Sequence, residues 1–336
     1  MRAPRFWQNS PDAPGWQARL LAPLGAAYAR ATAKRVAEPP SYRAPVPVLC
    51  IGNINAGGTG KTPTVIALLQ RLQARGVKAH VVTRGYGGSL AGPVQVNERT
   101  HAASETGDEP LLLAAFAPTW VAKDRSEGAR AAVAAGADII LLDDGFQNPA
   151  IAKDASIVVV DAHVGFGNGR CIPAGPLREP VKAGLKRADL ILTIGPDKAQ
   201  ERFETTWSTS IELPRAKGVL APLPTGMDWK GTPFVAFAGI GRPEKFFETL
   251  RGLGANLVQT HALDDHQPLT NSLLTRLDAD AKRLGAQLVT TEKDAVRLPK
   301  AYRTSVLSLP VRLELNDWSP VDALLDKLLD TTPPKT

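Results

Sequence analysis

The sequence has few cysteines and no long apolar segment. Its two cysteines, Cys50 and Cys171, do not form a Cys-x-x-Cys pair, which excludes a disulfide framework and a zinc ribbon and favours a reducing cytoplasm. No apolar run reaches the roughly 18 residues that a membrane-spanning helix needs. Because the first 30 residues contain Pro4, Pro11 and Pro14, we expect no secretory signal peptide there.

The composition is that of a globular protein with more than one domain. Of the 336 residues, 43% are hydrophobic and 22% are charged, which excludes extensive disorder. At about 150 residues per domain, the length predicts two domains. Each half is long enough to bury a core without a disulfide or a metal.

The net charge of +7 is concentrated at the N-terminus. Residues 1–43 hold seven basic and two acidic side chains, so five of the seven net positive charges lie there. Such asymmetry indicates that one end of the chain meets an anionic partner. Charge alone leaves both nucleic acid and an anionic membrane open.

Aromatic and aliphatic residues in the same segment recur with helical spacing. Trp16, Leu20, Leu24 and Tyr28 fall on every fourth position, as one stripe of a helix would. Pro23 would start or kink that helix. The segment is predicted either to lie in a membrane interface, with arginines at the head groups, or to pack on the domain with a wet basic face.

Continuously apolar runs alternate with stretches long enough for crossover helices. Apolar runs of this kind suit strands covered on both faces, and the alternation is typical of a parallel α/β sheet. The runs occupy 46–51, 79–83, 119–122, 139–142, 157–160 and 190–194. A second, shorter strand–helix series follows a stretch rich in proline and glycine near residues 222–233.

A glycine-rich segment follows the first apolar run. It matches the phosphate-binding pattern G-x-x-x-x-G-K-[ST], except that Asn55 stands at the first glycine. Glycines let backbone N–H groups approach phosphate oxygens, Lys61 would reach the β- and γ-phosphates, and Thr62 would ligate Mg²⁺. The segment predicts a nucleotide site, without fixing which nucleotide, formed by Asn55, Ala56, Gly57, Gly58, Thr59, Gly60, Lys61 and Thr62.

The apolar run at 139–142 ends in two carboxylates, Asp143 and Asp144. In phosphate-loop enzymes an acidic residue at this point holds Mg²⁺ or its waters. Because open α/β sheets bind ligands at the carboxyl ends of their strands, we expect these carboxylates to converge with Lys61. A helix cap or a turn is the alternative, since Asp-Gly is common in turns.

Further polar residues follow the other predicted strands. Asp108 and Glu109 open a predicted helix, where Asp108 could simply be the N-cap. The Gly/Pro-rich stretch 165–180 is long for a loop in a compact domain, and such loops are usually functional. His266 alone would be read as a solvated loop residue. The arginines of this edge, which could bind an anionic acceptor or form surface salt bridges, are Arg84, Arg125, Arg170 and Arg178.

In combination and order, these motifs resemble those of the tetraacyldisaccharide 4′-kinases, the lipid A kinases of Gram-negative bacteria. The phosphate loop is widely shared, whereas the combination is specific, and the resemblance extends to about residue 300. The motifs are GGTGKTP (57–63), TRGYG (83–87), GDEP (107–110), DDGFQ (143–147), PAGPLRE (173–179), FAGI (237–240), DH (265–266) and TEKDA (291–295).

The resemblance implies transfer of the ATP γ-phosphoryl group to the 4′-hydroxyl of a tetraacyldisaccharide 1-phosphate. This reaction makes a lipid A precursor at the cytoplasmic face of the inner membrane. ATP and Mg²⁺ are the implied cofactors, and the lipid disaccharide and the anionic membrane surface are the implied partners. We expect no nucleic-acid partner and a monomeric chain.

The resemblance also assigns roles to residues. Asp108 would take the hydroxyl proton and His266, from the second domain, would orient it, a pairing that requires domain closure. Lys61 and Asp143 complete the expected catalytic set. Metal contacts are expected at Thr62, Glu109, Asp143 and Asp144. Acceptor contacts are expected at Arg84, Gly85, Arg125, Gln147, Asn168, Arg170 and Arg178.

The predicted architecture is an α/β protein with a P-loop NTPase-type, mostly parallel sheet flanked by helices. It adds a smaller α/β second domain and an N-terminal amphipathic helix. We predict a membrane-interface segment at 1–40, a P-loop kinase domain at 41–215, a linker at 216–230, the second domain at 231–325 and a tail at 326–336.

The main functional alternative is a nucleotide-switch protein or a metallochaperone-type NTPase. Such a protein would share the loop and the strand ending in Asp143, but it needs neither acceptor loops nor a lipid-facing helix. It would hydrolyse nucleotide without an acceptor. A nucleic-acid binder is less well supported, because the basic excess is confined to one aromatic-rich end.

Overall fold

The chain folds into helices and strands that alternate along most of its length. The computed structural model describes residues 3–265 and 267–330, and within those ranges no helix is long and apolar enough to cross a membrane. The N-terminal half contains α1 (Trp16–Leu20), α2 (Ala22–Val36), β1 (Val48–Gly52), α3 (Lys61–Ala74), β2 (Ala79–Thr83), β3 (Val94–Gln95), α4 (Ala103–Thr106), α5 (Asp108–Ala114), β4 (Thr119–Val121), α6 (Arg125–Ala134), β5 (Ile139–Asp143) and β6 (Ala155–Asp161).

The C-terminal half continues the alternation of helices and strands. It contains α7 (Val181–Leu185), β7 (Leu190–Ile194), α8 (Asp197–Trp207), β8 (Arg215–Pro222), β9 (Pro233–Ala238), α9 (Pro243–Gly252), β10 (Asn256–Ala262), α10 (Asn271–Arg283), β11 (Gln287–Thr291), α11 (Glu292–Ala295), β12 (Val306–Leu309), β13 (Val311–Leu315) and α12 (Ser319–Asp330).

A large, mostly parallel sheet forms the first α/β unit and includes strands from both halves of the chain. Its strand order is β13-β8-β7-β6-β1-β5-β2-β4-β3. The pairs from β8 through β4 are parallel, and β13 and β3 join the two edges in antiparallel fashion. Leu49, Cys50 and Ile51 of the central strand are fully buried, because one face packs on α6 and the loops near α8 while the other packs on α3 and α12. The predicted flanked α/β sheet is confirmed.

A small sheet forms the second α/β unit. Its order is β10-β9-β11-β12, and every pair in it is parallel. Phe246, Phe247 and Leu250 of α9 pack on one face. Leu274 and Leu277 of α10 pack on the other. The smaller α/β unit expected from the sequence is therefore present.

The boundaries of the two units differ from the predicted ones. The stretch predicted as a linker at 216–230 begins with β8, a strand of the large sheet. Inside the range predicted as the second domain, β13 returns to pair with β8, and α12 buries Val321 and Leu325 in the core of the large sheet. Residues 326–330, predicted as tail, complete α12, and 331–336 lie outside the described residues. The prolines and glycines that follow β8 indicate where the strand ends, but they do not indicate which sheet the strand joins.

The N-terminal segment forms two short helices on the large unit. Pro23 lies in the first turn of α2, as a proline at a helix start should. Trp16, Leu20 and Leu24 have exposed fractions of 70%, 71% and 59%, whereas Tyr28 packs against the core. Three members of the predicted stripe therefore form one exposed apolar surface, which we call the N-terminal apolar surface.

The N-terminal helices are held in place by the long loop that the sequence singled out. The indole Nε1 of Trp7 donates to the carbonyl of Pro173 at 3.0 Å. A Cβ on Gly25 would lie 2.8 Å from the carbonyl oxygen of Cys171, so only glycine allows α2 to pack so closely. The exposed surface is thus presented by a docked segment, not by a loose arm.

Candidate active site

The glycine-rich segment forms the turn between β1 and α3. Gly57 and Gly60 have φ angles of 128° and 96°, in the left-handed region that favours glycine. A Cβ on Gly60 would lie 2.7 Å from Cδ1 of Ile194, the last residue of β7, whereas one on Gly57 or Gly58 would meet nothing within 4 Å. The turn is therefore open to a ligand at 57–58 and fixed against the sheet at Gly60.

The residues before the glycines anchor the turn. Asn53 Nδ2 donates to the carbonyl of Gly57 at 3.1 Å and to the hydroxyl of Thr59 at 3.2 Å. Asn55 Nδ2 donates to the carbonyl of Gly165 at 2.9 Å, and the backbone N–H of Ala56 donates to Pro176 at 2.7 Å. Asn55 Nδ2 and the Ala56 N–H thus have protein partners, whereas Asn55 Oδ1 is buried without a hydrogen-bond partner among the described residues.

Asp144 meets the loop lysine, as expected. Its Oδ1 lies 3.4 Å from Lys61 Nζ and 3.0 Å from Arg178 Nη1. Burial opposes ionisation of Asp144, but Lys61 and Arg178 outweigh it and hold its pKa below the usual value. The carboxylate is therefore charged and neutralised by two cations.

The backbone at Asp144 is strained, and Arg125 supports it. Asp144 has a φ of 51°, unusual for a residue with a side chain. Its carbonyl accepts a hydrogen bond from Arg125 Nη2 at 2.9 Å, and its N–H donates to Ile51 at 3.0 Å. Arg125, predicted to contact the acceptor, has an exposed fraction of only 7%. In this structure its guanidinium supports the turn that presents Asp144.

Asp143 has the character of a cation ligand. Its Oδ2 accepts from the hydroxyl of Thr83 at 3.3 Å, whereas Oδ1 is buried without a hydrogen-bond partner among the described residues. Burial, reinforced by the charge of Glu109, raises the pKa of Asp143 to about 7. A divalent cation would satisfy the free oxygen and favour ionisation.

The metal residues predicted from the sequence do not form a ready-made cage. In residues 3–265 and 267–330, no group of three or more histidine, cysteine or acidic side chains is close enough to hold a metal ion. Mg²⁺ commonly binds through one or two carboxylates together with substrate phosphates and water. The isolated Oδ1 of Asp143 next to the phosphate loop fits this mode.

Asp108 begins α5 and is not its N-cap. Gly107 holds the N-cap position with a φ of 92°, so the capping alternative for Asp108 is not what the structure shows. Asp108 has an exposed fraction of 4%, and its Oδ1 accepts from the N–H of Glu109 at 3.0 Å. The Asp108 carboxylate is therefore enclosed at the edge of the site.

The second unit reaches both acidic residues of α5. Arg297 Nε lies 3.7 Å from Asp108 Oδ2, and Lys293 Nζ lies 3.1 Å from Glu109 Oε1. Burial disfavours the charge on Lys293, but Glu109, Asp108 and Asp265 together raise its pKa. The two units are therefore in contact at Asp108, and His266, the partner predicted for it, lies outside the described residues.

Sequence reasoning did not assign a role to Lys293 and Arg297. The available signal is the TEKDA motif at 291–295, which lies at the carboxyl end of a strand. Because β11 lies in the small sheet, nothing in the sequence showed that these side chains cross to α5.

Two further predicted acceptor residues serve inside the protein. Gln147 Nε2 donates to the carbonyl of Asn53 at 2.8 Å and to Glu179 Oε1 at 2.9 Å. Asn168 has an exposed fraction of 1% and donates from Nδ2 to Phe6 at 3.2 Å. These contacts brace the phosphate loop and the N-terminal segment.

The remaining predicted acceptor residues include three accessible arginines. Arg84 and Arg170 are exposed, and Arg178 is half-buried beside Asp144. Gly85 has a φ of 69°, and a Cβ there would lie 2.5 Å from Val121. The glycine thus places the turn carrying Arg84 against the sheet.

Comparison with known proteins identifies the family. The model of the family described as tetraacyldisaccharide-1-P 4′-kinase matches residues 17–330. The chain belongs to the tetraacyldisaccharide 4′-kinase family. This confirms the resemblance drawn from the motifs and makes the chain a kinase of lipid A biosynthesis.

Individual relatives agree with the family assignment. The tetraacyldisaccharide 4′-kinase of Dinoroseobacter shibae is 67% identical over 98% of both chains, and that of Jannaschia sp. is 64% identical over 98% of this chain and 99% of the relative. The crystal structure of LpxK from Aquifex aeolicus in complex with ATP has a TM-score of 0.76 and 25% identity, covering 93% of this chain and 99% of its own. The similarity therefore spans both α/β units.

Proposed function

We propose that the groups around Lys61 carry out the family's reaction in this chain. That reaction is transfer of the γ-phosphoryl group of ATP to the 4′-hydroxyl of a tetraacyldisaccharide 1-phosphate. The observation that carries the proposal is the meeting of Lys61 with the charged Asp144 at one sheet edge, beside the enclosed Asp108 of α5. Phosphoryl transfer needs positioning and charge neutralisation more than covalent chemistry, and this arrangement offers both.

The nucleotide phosphates bind at the phosphate loop. Residues 57–62 supply backbone N–H groups and the N-terminus of α3, which favours anions. Lys61 reaches the β- and γ-phosphates from its position 3.4 Å from Asp144 Oδ1. The Asp144 carboxylate keeps the ammonium at the mouth of the loop.

The adenine base binds in a cavity beside β7. The cavity has a volume of about 250 Å³ and lies at the carboxyl end of β7, beside Val219 in the middle of β8. It is next to Ile194, which packs near Gly60. Its position fits a nucleotide whose phosphates lie on the loop, since ligands of such sheets lie along the carboxyl edge. It is lined by Gly195, Pro196, Asp197, Gln200, Val219 and Asn316.

Mg²⁺ would be held by Asp143 and Thr62, assisted by the neighbouring Asp144 and by Glu109, whose charge acts on Asp143. The buried Oδ1 of Asp143, which has no hydrogen-bond partner in the part of the chain that the structure describes, supports this assignment. When bound, the ion supplies positive charge to the phosphate oxygens.

Asp108 accepts the proton of the 4′-hydroxyl. Arg297 places a positive charge 3.7 Å from its Oδ2, and His266 is the residue that the family resemblance assigns to orienting the carboxylate. The positive charge at the acceptor end comes from Arg84, Arg170 and Arg178, which suit the 1-phosphate of the sugar.

The N-terminal apolar surface lies against the cytoplasmic face of the inner membrane. Trp16, Leu20 and Leu24 supply apolar contact, and nearby arginines and lysines supply attraction to anionic lipid. A monomer is sufficient for this mode, because each chain carries its own phosphate loop and apolar surface.

Mass spectrometry of the lipid product tests the proposed function. We expect the protein with Mg²⁺, ATP and tetraacyldisaccharide 1-phosphate to yield one added phosphate at the 4′ position. Lys61→Ala should give no product, because it removes the charge that faces the γ-phosphate, whereas Lys217→Ala, at an exposed pair with Glu204, should act as wild type. Nucleotide hydrolysis without an acceptor, and no lipid product, would instead favour an NTPase switch.

A further inference from the structure

Arg297 is a buried guanidinium that contacts four different segments. Its Nη2 pairs with the carboxylate of Asp294 and donates to the carbonyl of Gly239 at 3.3 Å. Its Nη1 donates to the carbonyl of Gln267 at 3.0 Å, and its Nε lies 3.7 Å from Asp108 Oδ2. The side chain therefore links α5 of the large unit to three segments of the small unit.

The surroundings of Arg297 are built to receive it. A Cβ on Gly239 would lie 2.9 Å from Nη2 of Arg297, so the glycine leaves room for the guanidinium. Asp294 is fully buried and already accepts from the N–H of Gly239 at 3.0 Å and from the hydroxyl of Thr291 at 2.7 Å. Asp294 thus fixes one side of the guanidinium. Its Nε and Nη1 are directed at other groups.

One of those donors faces Asp108. Nε of Arg297 is buried and has no hydrogen-bond partner within the described ranges. It lies 3.7 Å from Asp108 Oδ2. A shift of less than 1 Å would convert this ion pair into a charge-assisted hydrogen bond.

The other donor binds the carbonyl of Gln267. Arg297 Nη1 donates to this carbonyl at 3.0 Å. Gln267 is itself tied to Asp264, since its N–H donates to the Asp264 carbonyl at 2.9 Å and its Oε1 accepts from the Asp264 N–H at 3.0 Å. The same guanidinium therefore holds Gln267 on one side and faces Asp108 on the other.

We propose that Arg297 is a positioning residue that holds Asp108 and Gln267 in register for phosphoryl transfer. The proposal rests on the function proposed for Asp108. Arg297 orients the Asp108 carboxylate through a contact between the small unit and α5. Because a planar fork makes contacts that a single ammonium cannot, lysine is not an equivalent substitute.

The test compares Arg297→Lys and Arg297→Met with a matched control. Arg283→Met removes another arginine of the small unit that pairs with an aspartate three residues earlier, but on an exposed surface. We expect Arg297→Lys to lower kcat about tenfold and Arg297→Met about 100-fold, with the Kd for ATP unchanged in both. Arg283→Met should keep the wild-type kcat. Wild-type kcat in Arg297→Lys would overturn the proposal even if Arg297→Met failed to fold.

A double-mutant cycle separates this inference from the function proposed for Asp108. If Arg297 acts through Asp108, adding Arg297→Met to Asp108→Asn should lower the residual rate by less than about twofold. Two losses that multiply would show a structural role instead. If Asp108→Asn kept full activity, the role of Asp108 would fail, whereas an inactive Asp108→Asn beside a fully active Arg297→Met would refute only the present inference.

Discussion

At the residue scale, two adjacent carboxylates are held in opposite states. Lys61 and Arg178 keep the pKa of Asp144 low, whereas burial and Glu109 raise that of Asp143 to about 7. The chain turns sharply between them, since Asp144 adopts a left-handed backbone conformation. Asp144 is thus ionised and paired with two cations, whereas Asp143 is fully buried beside it.

The raised pKa of Asp143 predicts a pH-dependent stability. The folded pKa lies above the ordinary unfolded value of about 4, so the protonated carboxyl favours the folded state. This contribution is complete below about pH 4 and is lost as the pH rises through 7. Urea unfolding without nucleotide should therefore show Asp143→Asn gaining stability relative to wild type between about pH 5 and pH 8. A constant difference between the two proteins across this range would contradict the assignment.

At the element scale, β1 and the helix after it explain why the phosphate loop is rigid. The strand is buried on both faces, and the loop is tied to β7 through Gly60 and to the long loop through Asn55. A loop held in this way needs little rearrangement to bind phosphate.

Burial of β1 predicts an unreactive thiol. Loss of hydration raises the pKa of Cys50 to about 11, and that of Cys171 also to about 11. At pH 8 only about one thiol in a thousand would be ionised, so iodoacetamide should label neither cysteine in the folded protein and both in urea. Rapid labelling of Cys50 in the native protein would show that β1 opens readily.

The N-terminal helices present the apolar surface proposed to contact lipid. Replacing Leu20 and Leu24 with glutamate should reduce binding to anionic vesicles at least about tenfold, because each leucine loses its transfer to the lipid interface. Val258→Glu, at an exposed position on β10, is the matched control and should leave sedimentation with vesicles unchanged. Equal vesicle binding by the double variant would exclude this surface as the membrane contact.

At the scale of the whole molecule, charged pairs join the two units around the site. Arg297 and Lys293 reach α5, and Arg242 of the small unit lies 3.1 Å from Asp161 at the end of β6. These contacts place the carboxyl edges of both parallel sheets face to face. The proposed active site therefore includes residues from two units that are far apart in sequence.

The sequence predicted the parts of this arrangement that are local. The phosphate loop, the strand ending in Asp143 and the meeting of Lys61 with Asp144 follow from motif and strand order, since parallel strands share a carboxyl edge. The buried contacts of Arg125 and Asn168 could not be predicted in this way. A motif shows which residue types are present, but not whether their side chains are buried. The sequence is the same whether an arginine binds a ligand or a backbone carbonyl of its own chain.

The long-range parts were beyond sequence reasoning for a topological reason. β13 and α12 return to the large sheet because β13 pairs with β8. The sequences of β8 and β13 do not indicate which strand each will pair with. The crossing of Arg297 to Asp108 depends on how two units sit together. Hydrophobic periodicity predicts which face of a helix or strand is buried, but not which other element packs against that face.

The central claim is that Asp108 serves the chemical step and not nucleotide binding. The most direct measurement is single-turnover transfer from ATP to the lipid acceptor by Asp108→Asn, with the Kd for ATP determined on the same sample. The account predicts a transfer rate at least about 100-fold below wild type with ATP bound as tightly as before. A wild-type transfer rate, or a slow rate explained entirely by weaker ATP binding, would contradict it.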